Sequence, residues 1–272
     1  QNNDTTHNYQ QKIISNINDE LKHPPILYTE VFFKYNINYY FDKIYVLNLK
    51  KDINKRNQIT KLFDKFNINN YKFYEAIYGK ENNELLDKYE RYSKIPFTQR
   101  EQKLDRKLIG SVGVLANLIS VKNVIIDAKK NNYKRILFME DDVIFHKNIN
   151  TLFTDTVSVI ENDWKILYMG CQNIINGKTV TMNNTYNAHP DTSGGWCFGI
   201  DCSVYDEIIT QCNKEELPFD SGPLYYLRKK YPKQCKVIYP NLCICDIGTS
   251  ELRVSSRTLT SEAERLHWNL TD

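Results

Sequence analysis

Arg135-Ile136-Leu137-Phe138-Met139-Glu140-Asp141-Asp142-Val143-Ile144-Phe145 is the stretch on which the fold turns. Its unbroken apolar run has the length of a strand buried on both faces, the kind found in the middle of an α/β sheet. The run leads straight into three consecutive carboxylates, and a second short apolar run follows. Neighbouring like charges repel, so acids at a strand's end need a counter-ion or full solvation. In an open parallel sheet, ligands bind beyond the carboxyl ends of the strands, which is where these acids fall. Hard carboxylate oxygens suit Mg²⁺ or Mn²⁺, and such an ion commonly also holds a substrate's phosphates. A solvated acidic turn is the other reading of the same residues.

Upstream, Lys43 to Leu49 reads as the first strand. A polar turn (Lys50, Lys51, Asp52, Asn54) follows it, and then a helix from Lys55 to Phe66 with Ile59, Leu62, Phe63 and Phe66 on one face. A strand, polar turn and helix in this order commonly open a nucleotide-binding α/β sheet. There is no Gly-x-Gly-x-x-Gly, which argues against a dinucleotide, and no Gly-Lys-Ser/Thr, which argues against a P-loop. Arg56, on the first turn of the helix, is a candidate bidentate donor to a diphosphate, or else a solvated surface arginine. Tyr71 to Ala76 reads as a second strand, with Ile77-Tyr78-Gly79 as the turn beyond it. Residues 80–107 are highly charged and are expected to form an excursion or flexible loop. Gly110-Ser111-Val112-Gly113 then introduces a strong helix that runs to Ala128.

Downstream, a helix is expected from Thr151 to Glu161 and a strand from Trp164 to Gly170, and residues 173–190 suggest a hairpin. Thr192 to Ile200 reads as a glycine-loosened loop entering a strand. Its paired Gly194 and Gly195 fit either a plain turn or close backbone approach to a ligand. Val204 to Gln211 looks helical. Asp220, after Leu217-Pro218-Phe219, stands at an expected helix start, where an Asp is most often an N-cap. Cys235 to Ile244 alternates like a strand broken at Pro240-Asn241, and Asp246 follows it.

Composition bounds the reading. The chain has 272 residues, 41% of them hydrophobic, which suffices for a core. We expect a polar tail or linker at 1–25, one α/β domain at 26–253 (a nucleotide half at 41–145, an acceptor half at 146–253), and a tail or lid at 254–272. Ile26 to Tyr40 would be a strand or short helix packed on that domain. The formal charge of +3 is small and its basic residues are dispersed, which argues against nucleic acid. No apolar run reaches the roughly 18 residues of a membrane span. Because the chain begins at Gln1 and not at Met, we expect that a segment upstream was removed. Seven cysteines without Cys-x-x-Cys or zinc-like spacing favour reduced thiols and a cytosol-like compartment over a secretory lumen. Cys243 and Cys245 read as small core residues. The sequons at Asn3, Asn183 and Asn269 weigh little in so Asn-rich a chain. The oligomeric state is not legible.

The motifs also carry a resemblance. Ile44 to Leu49 with Arg56 resembles the opening strand and arginine of glycosyltransferase family 25. That family contains bacterial lipooligosaccharide glycosyltransferases and animal collagen hydroxylysine glycosyltransferases. Phe73 to Gly79 is similar to the family's aromatic-x-Ala-x-x-Gly segment. Gly110-x-x-Gly113, Glu140-Asp141-Asp142, Leu167 to Gly170 and Pro218-Phe219-Asp220 follow in family order. The resemblance extends to collagen-modifying members from giant DNA viruses, which the Asn-, Lys-, Ile- and Tyr-rich composition fits. One departure is that Asn117-Leu118 stands where the family commonly has Ser-His.

The resemblance implies a GT-A fold, with a Rossmann-like and mostly parallel sheet flanked by helices. It implies a UDP-sugar donor, with glucose favoured and galactose next, and Mn²⁺ or Mg²⁺ held by Glu140, Asp142 and Asp246. His189 and His267 are poorer candidates for the third ligand. Asp141 would face the donor's ribose or sugar hydroxyls, Asn48, Leu49 and Tyr78 the uridine, and Arg56 and Arg253 the diphosphate. Asp220, with Asp142 the catalytic candidate, would be a base if transfer inverts and an orienting group if it retains. The implied acceptor is collagen-type, galactosyl-hydroxylysine or hydroxylysine. A lipooligosaccharide or viral surface glycan, a silent nucleotide-sugar-binding domain and a carbohydrate-binding module are the other readings.

Overall fold

A computed structural model describes residues 34–172 and 185–246. The central sheet has seven strands: β1 (Lys43–Leu49), β2 (Tyr71–Ala76), β3 (Arg135–Glu140), β5 (Ile166–Gln172), β6 (Thr185–Asn187), β7 (Ser193–Asp201) and β8 (Cys235–Ile238). Their order is β2-β1-β3-β7-β5-β8-β6. β1 pairs parallel with β2 and β3, and β5 with β8, while β7 runs antiparallel between β3 and β5 and β6 antiparallel to β8. Five of the seven strands therefore point one way, and helices cover both faces. This is the mostly parallel α/β arrangement expected.

Burial explains the strand sequences. Ile136, Leu137, Phe138 and Met139 are all buried, alternate members facing opposite sides of the sheet. Leu137 and Met139 meet α2 (Ile53–Phe66) through a core that includes Ile59, Phe63 and Phe66. Ile136 and Phe138 meet α5 (Val112–Lys130) through Leu115, Leu118, Val121 and Ile125. Before α5 come α1 (Ile37–Tyr40), α3 (Asn83–Ser93) and α4 (Gln99–Leu104). A separate two-stranded sheet pairs β4 (Val143–Phe145) with β9 (Cys243–Cys245). The remaining helices are α6 (Ile149–Val157), α7 (Tyr205–Cys212) and α8 (Pro223–Lys230).

Three expectations are corrected. Residues 80–107 are not one flexible loop: they carry α3 and α4, each closed at its start by a side chain. Asn82 accepts from Leu85 N–H at 3.0 Å, and Thr98 with Glu101 forms a capping box. Glu101 is buried, and burial pushes its carboxyl up. Hydrogen bonds from Thr98 N–H, Leu108 N–H and Tyr92 outweigh that and hold it below the usual range. The same excursion is tied to the second half of the chain. Arg100 donates to Ser221 O at 2.6 Å and stacks on Tyr225, and Lys88 pairs with Glu215.

Second, the alternating run from Cys235 is two strands in two sheets, parted at Tyr239–Leu242. Third, α8 begins at Pro223 with no side-chain cap, so Asp220 is not an N-cap. Residues 1–33, 173–184 and 247–272 lie outside the described residues, so the expected tails and most of the expected hairpin do too.

Candidate active site

The acids stand where β3 leaves the sheet. Glu140 is the last strand residue, and Asp141-Asp142 turn the chain from β3 into β4. They line a pocket whose other walls come from the ends of β1 and β2 and from one side of α5. Each wall is at the carboxyl end of a parallel strand or beside it, so the sheet topology itself makes the crevice.

Asp142 is the most constrained of the three. Its side chain is 10% exposed, and its Oδ1 is buried without a hydrogen-bond partner. Burial raises its pKa to about 6; Lys55 draws it down, and Asp141 and Asp246 push it up again. Asp141 is held from two sides: Asn48 Nδ2 donates to its Oδ2 at 2.7 Å, and Lys55 Nζ lies 3.5 Å from its Oδ1. Lys55 Nζ is also 3.8 Å from Asp142 Oδ2.

β9 brings Asp246 to the same place. Val143 opposes Cys245 in the β4–β9 ladder, and Asp246 N–H extends it by donating to Asp142 O at 2.7 Å. Asp142 and Asp246 are thus an opposed cross-strand pair, which directs both side chains to one face at close range. Two like charges so placed destabilise the ladder unless a cation sits between them.

The donor set fits a hard divalent ion: two opposed carboxylates, one with an orphaned oxygen. Among the described residues no three His, Cys, Asp or Glu side chains close a cation site unaided. Mg²⁺-type sites that also hold substrate phosphates need only one or two carboxylates. Glu140 lines the pocket but is not gathered with Asp142 and Asp246 into a three-carboxylate set.

The opposite walls are apolar and aromatic. Leu49, Ala76 and Tyr78 line them, and Lys51 Nζ lies 3.9 Å from the centre of the Tyr78 ring. Gly79 packs on the first turn of α5 so closely that a Cβ would stand 2.7 Å from Val112 O. Ser120, further along α5, accepts from Ile77 N–H at 2.9 Å and so fixes the β2 turn. Asn117 faces the pocket, whereas Leu118 is a core residue. The Asn117-Leu118 departure therefore puts an amide at the wall and a hydrocarbon in the core.

Asp220 belongs to a second group of residues at the same sheet edge. Gly194 N–H donates to its Oδ2 at 3.1 Å, and Ser221 Oγ to its Oδ1 at 3.2 Å. β7 reaches the end of β3 by register, since Cys197 opposes Met139, so Gly194 lies in β7 past the end of β3, on the side of the acids. Gly194 takes φ +72°, a conformation that favours glycine, so the backbone itself calls for glycine at this position. Arg228 is 1% exposed and locks the loop from behind. It donates to Asp220 O at 2.9 Å, Tyr168 Oη at 2.7 Å and Pro190 O at 2.9 Å.

The remaining candidates fall elsewhere. Arg56 lies over the Phe73 ring, its guanidinium carbon 4.5 Å from the ring centre, and does not line the pocket. His189 sits in the turn after β6, accepting from Asp191 N–H, and also does not line the pocket. Arg253 and His267 lie outside the described residues. Lys55, which meets the acids, was not among the sequence candidates. Its signal was helix phase: it stands one turn before the buried Ile59, on the inward face with Phe63 and Phe66. Arg56 is a step of about 100° away from that face.

The sequence model of glycosyltransferase family 25 (LPS biosynthesis protein) matches residues 41–192. No curated protein sequence matches the chain. Among solved structures, the chain is similar to a glycosyltransferase involved in the glycosylation of the major capsid of PBCV-1. The two are 12% identical with a TM-score of 0.42, over 83% of this chain and 97% of that one.

Proposed function

The chain belongs to glycosyltransferase family 25, and on that premise we propose that it moves a hexose from a UDP-sugar to a collagen-type acceptor with the help of Mn²⁺ or Mg²⁺. The observation that carries this reading is the opposed pair Asp142 and Asp246, the first of which lines the pocket and has a buried, unpartnered oxygen. Asp142 and Asp246 would hold the cation, which when bound neutralises the charge that develops on the departing diphosphate. Asn48 fixes Asp141 so that the remaining lone pairs of that carboxylate are available to the donor's hydroxyls. Leu49 and Tyr78 supply the flat apolar wall that suits a uracil ring.

Asp220 is the acceptor-side group of this reading. Its two carboxylate oxygens already accept from Gly194 N–H and Ser221 Oγ, which suits holding an acceptor hydroxyl in line better than taking its proton. Glucose transfer to a galactosyl-hydroxylysine is the favoured reaction, with galactose transfer to hydroxylysine next.

The test is transfer of labelled sugar from UDP-glucose and UDP-galactose, in Mn²⁺ and in EDTA. The acceptors are a galactosylated collagen peptide, the unmodified peptide and a lipooligosaccharide. Cation-dependent transfer to the first is expected. Transfer only to lipooligosaccharide would overturn the acceptor, full activity in EDTA the cation, and binding of UDP-sugar without turnover the enzyme reading itself.

A further inference from the structure

We propose that Lys55 is the resident counter-cation of the acidic pocket and that it exchanges with the divalent ion, so that the ion binds tightly only together with a diphosphate. The inference rests on the reading of Asp142 and Asp246 as the ligands of a cation. Within the described residues, Lys55 is the base within ion-pair distance of Asp141 and of Asp142. Of the other bases nearby, Lys51 lies over Tyr78 and Arg56 over Phe73, while Lys80 lines the pocket but is exposed to solvent.

The contacts are loose. At 3.5 and 3.8 Å the ammonium bridges two carboxylates and is locked to neither, well outside the roughly 2.7–2.9 Å of a tight charge-assisted bond. A lysine is a compact point charge on a flexible four-carbon stem with rotatable donors, suited to leaving one anion for another. Its side chain is 16% exposed and that of Asp142 10%, so their interaction is poorly screened by solvent.

The ammonium faces the carboxylates of Asp141 and Asp142, and Asp246 adds its negative charge beside Asp142. It does not satisfy Asp142 Oδ1. An ion of charge +2 on Asp142 would stand close to the Lys55 ammonium and repel it. The exchange is favourable only if the ammonium finds a new anion, and the diphosphate brings one to the same pocket. Cation and diphosphate are thereby coupled, each strengthening the binding of the other by the same factor.

The experiment measures Mn²⁺ binding to the full chain by electron paramagnetic resonance and calorimetry, with and without UDP, with no turnover needed. Wild type should bind Mn²⁺ weakly alone and much more tightly with UDP. Lys55→Met should bind Mn²⁺ alone more tightly, by roughly tenfold given the Coulomb energy of a partly buried pair, and UDP should add less. Lys55→Arg keeps the charge and should keep the wild-type pattern. Lys55→Gln replaces the methionine variant if that one unfolds. Equal Mn²⁺ affinity in wild type and the neutral variants would overturn the exchange while leaving the cation site standing. Binding of Mn²⁺ by none of them, even with UDP, would overturn the cation site and the exchange together.

Discussion

The backbone N–H of Asp246 donates to the carbonyl of Asp142 at 2.7 Å, so two acids over a hundred residues apart in sequence are neighbours across a short ladder. β4 and β9 are each only three residues long, and their pairing is what brings the two acids together. The ladder therefore carries a charge conflict that a cation would relieve.

That conflict has a pH signature. Burial raises the Asp142 pKa from 3.8 to about 6, so the cation-free fold favours its protonated form. The contribution of this group to stability is fully present below the unfolded pKa and is lost as pH rises through about 6. In EDTA at pH 7.5, Asp142→Asn should therefore be more stable than wild type by about 2 kcal/mol, with the advantage gone near pH 4. Mn²⁺ with UDP should stabilise wild type and not the variant. Chemical denaturation across pH checks both statements, and a variant less stable in EDTA at every pH would contradict them.

Asp220→Asn should melt like wild type, because the amide oxygen can still accept from Gly194 N–H. Transfer to the acceptor should nevertheless fall by at least roughly 10²-fold, the lower end of what a positioned carboxylate contributes. Thermal melting beside transfer rate measures this, and the anomeric configuration of the product, read by NMR, separates the roles. An inverted product makes Asp220 a base, and a retained one makes it an orienting group. A normal rate would leave Asp220 a structural acceptor for β7.

Arg228→Met should destabilise the protein by about 3 kcal/mol, since the Tyr168 hydroxyl and the carbonyls of Pro190 and Asp220 would lose their donor inside the protein. Equilibrium unfolding in urea measures the loss. A change under 1 kcal/mol would mean that these acceptors find other partners.

Gly79→Ala tests the pocket's rear wall. The added methyl would meet Val112 O at 2.7 Å and the Ala116 side chain at 3.0 Å, so the β2 turn must move off α5. The expected cost is about 1–3 kcal/mol, accompanied by weaker UDP binding because Tyr78 moves with the turn. Unchanged stability and UDP affinity would show that the contact gives way without cost.

Much of this was legible in the chain itself. Strands β1 and β2 begin and end where the sequence reading places them, and β1 and β3 fill apolar runs, the latter leading to the acids. The reason is local: a strand buried on both faces must be apolar at every position, and its end must be polar where it meets solvent or a ligand. The Gly110–Gly113 turn and the helix after it were readable for the same kind of reason, a serine cap followed by a helical apolar stripe. Residues 80–107 misled because α3 and α4 bury little of themselves, Leu85 and Glu101 being their buried residues. Their capping residues were the better signal.

Helix phase already puts Lys55, and not Arg56, on the buried side of α2. Tertiary structure alone decided two things. It assigned the Asp220 carboxylate to Gly194 and away from α8, because β7 enters the sheet antiparallel and returns to the edge where β3 ends. It also paired Asp142 with Asp246, a contact between distant segments that no local pattern encodes. Propensity and periodicity act over a few residues and so determine strands, helices and the acidic end of β3. Which charged groups share that end depends on the register between segments far apart in the chain, and only the folded sheet defines it.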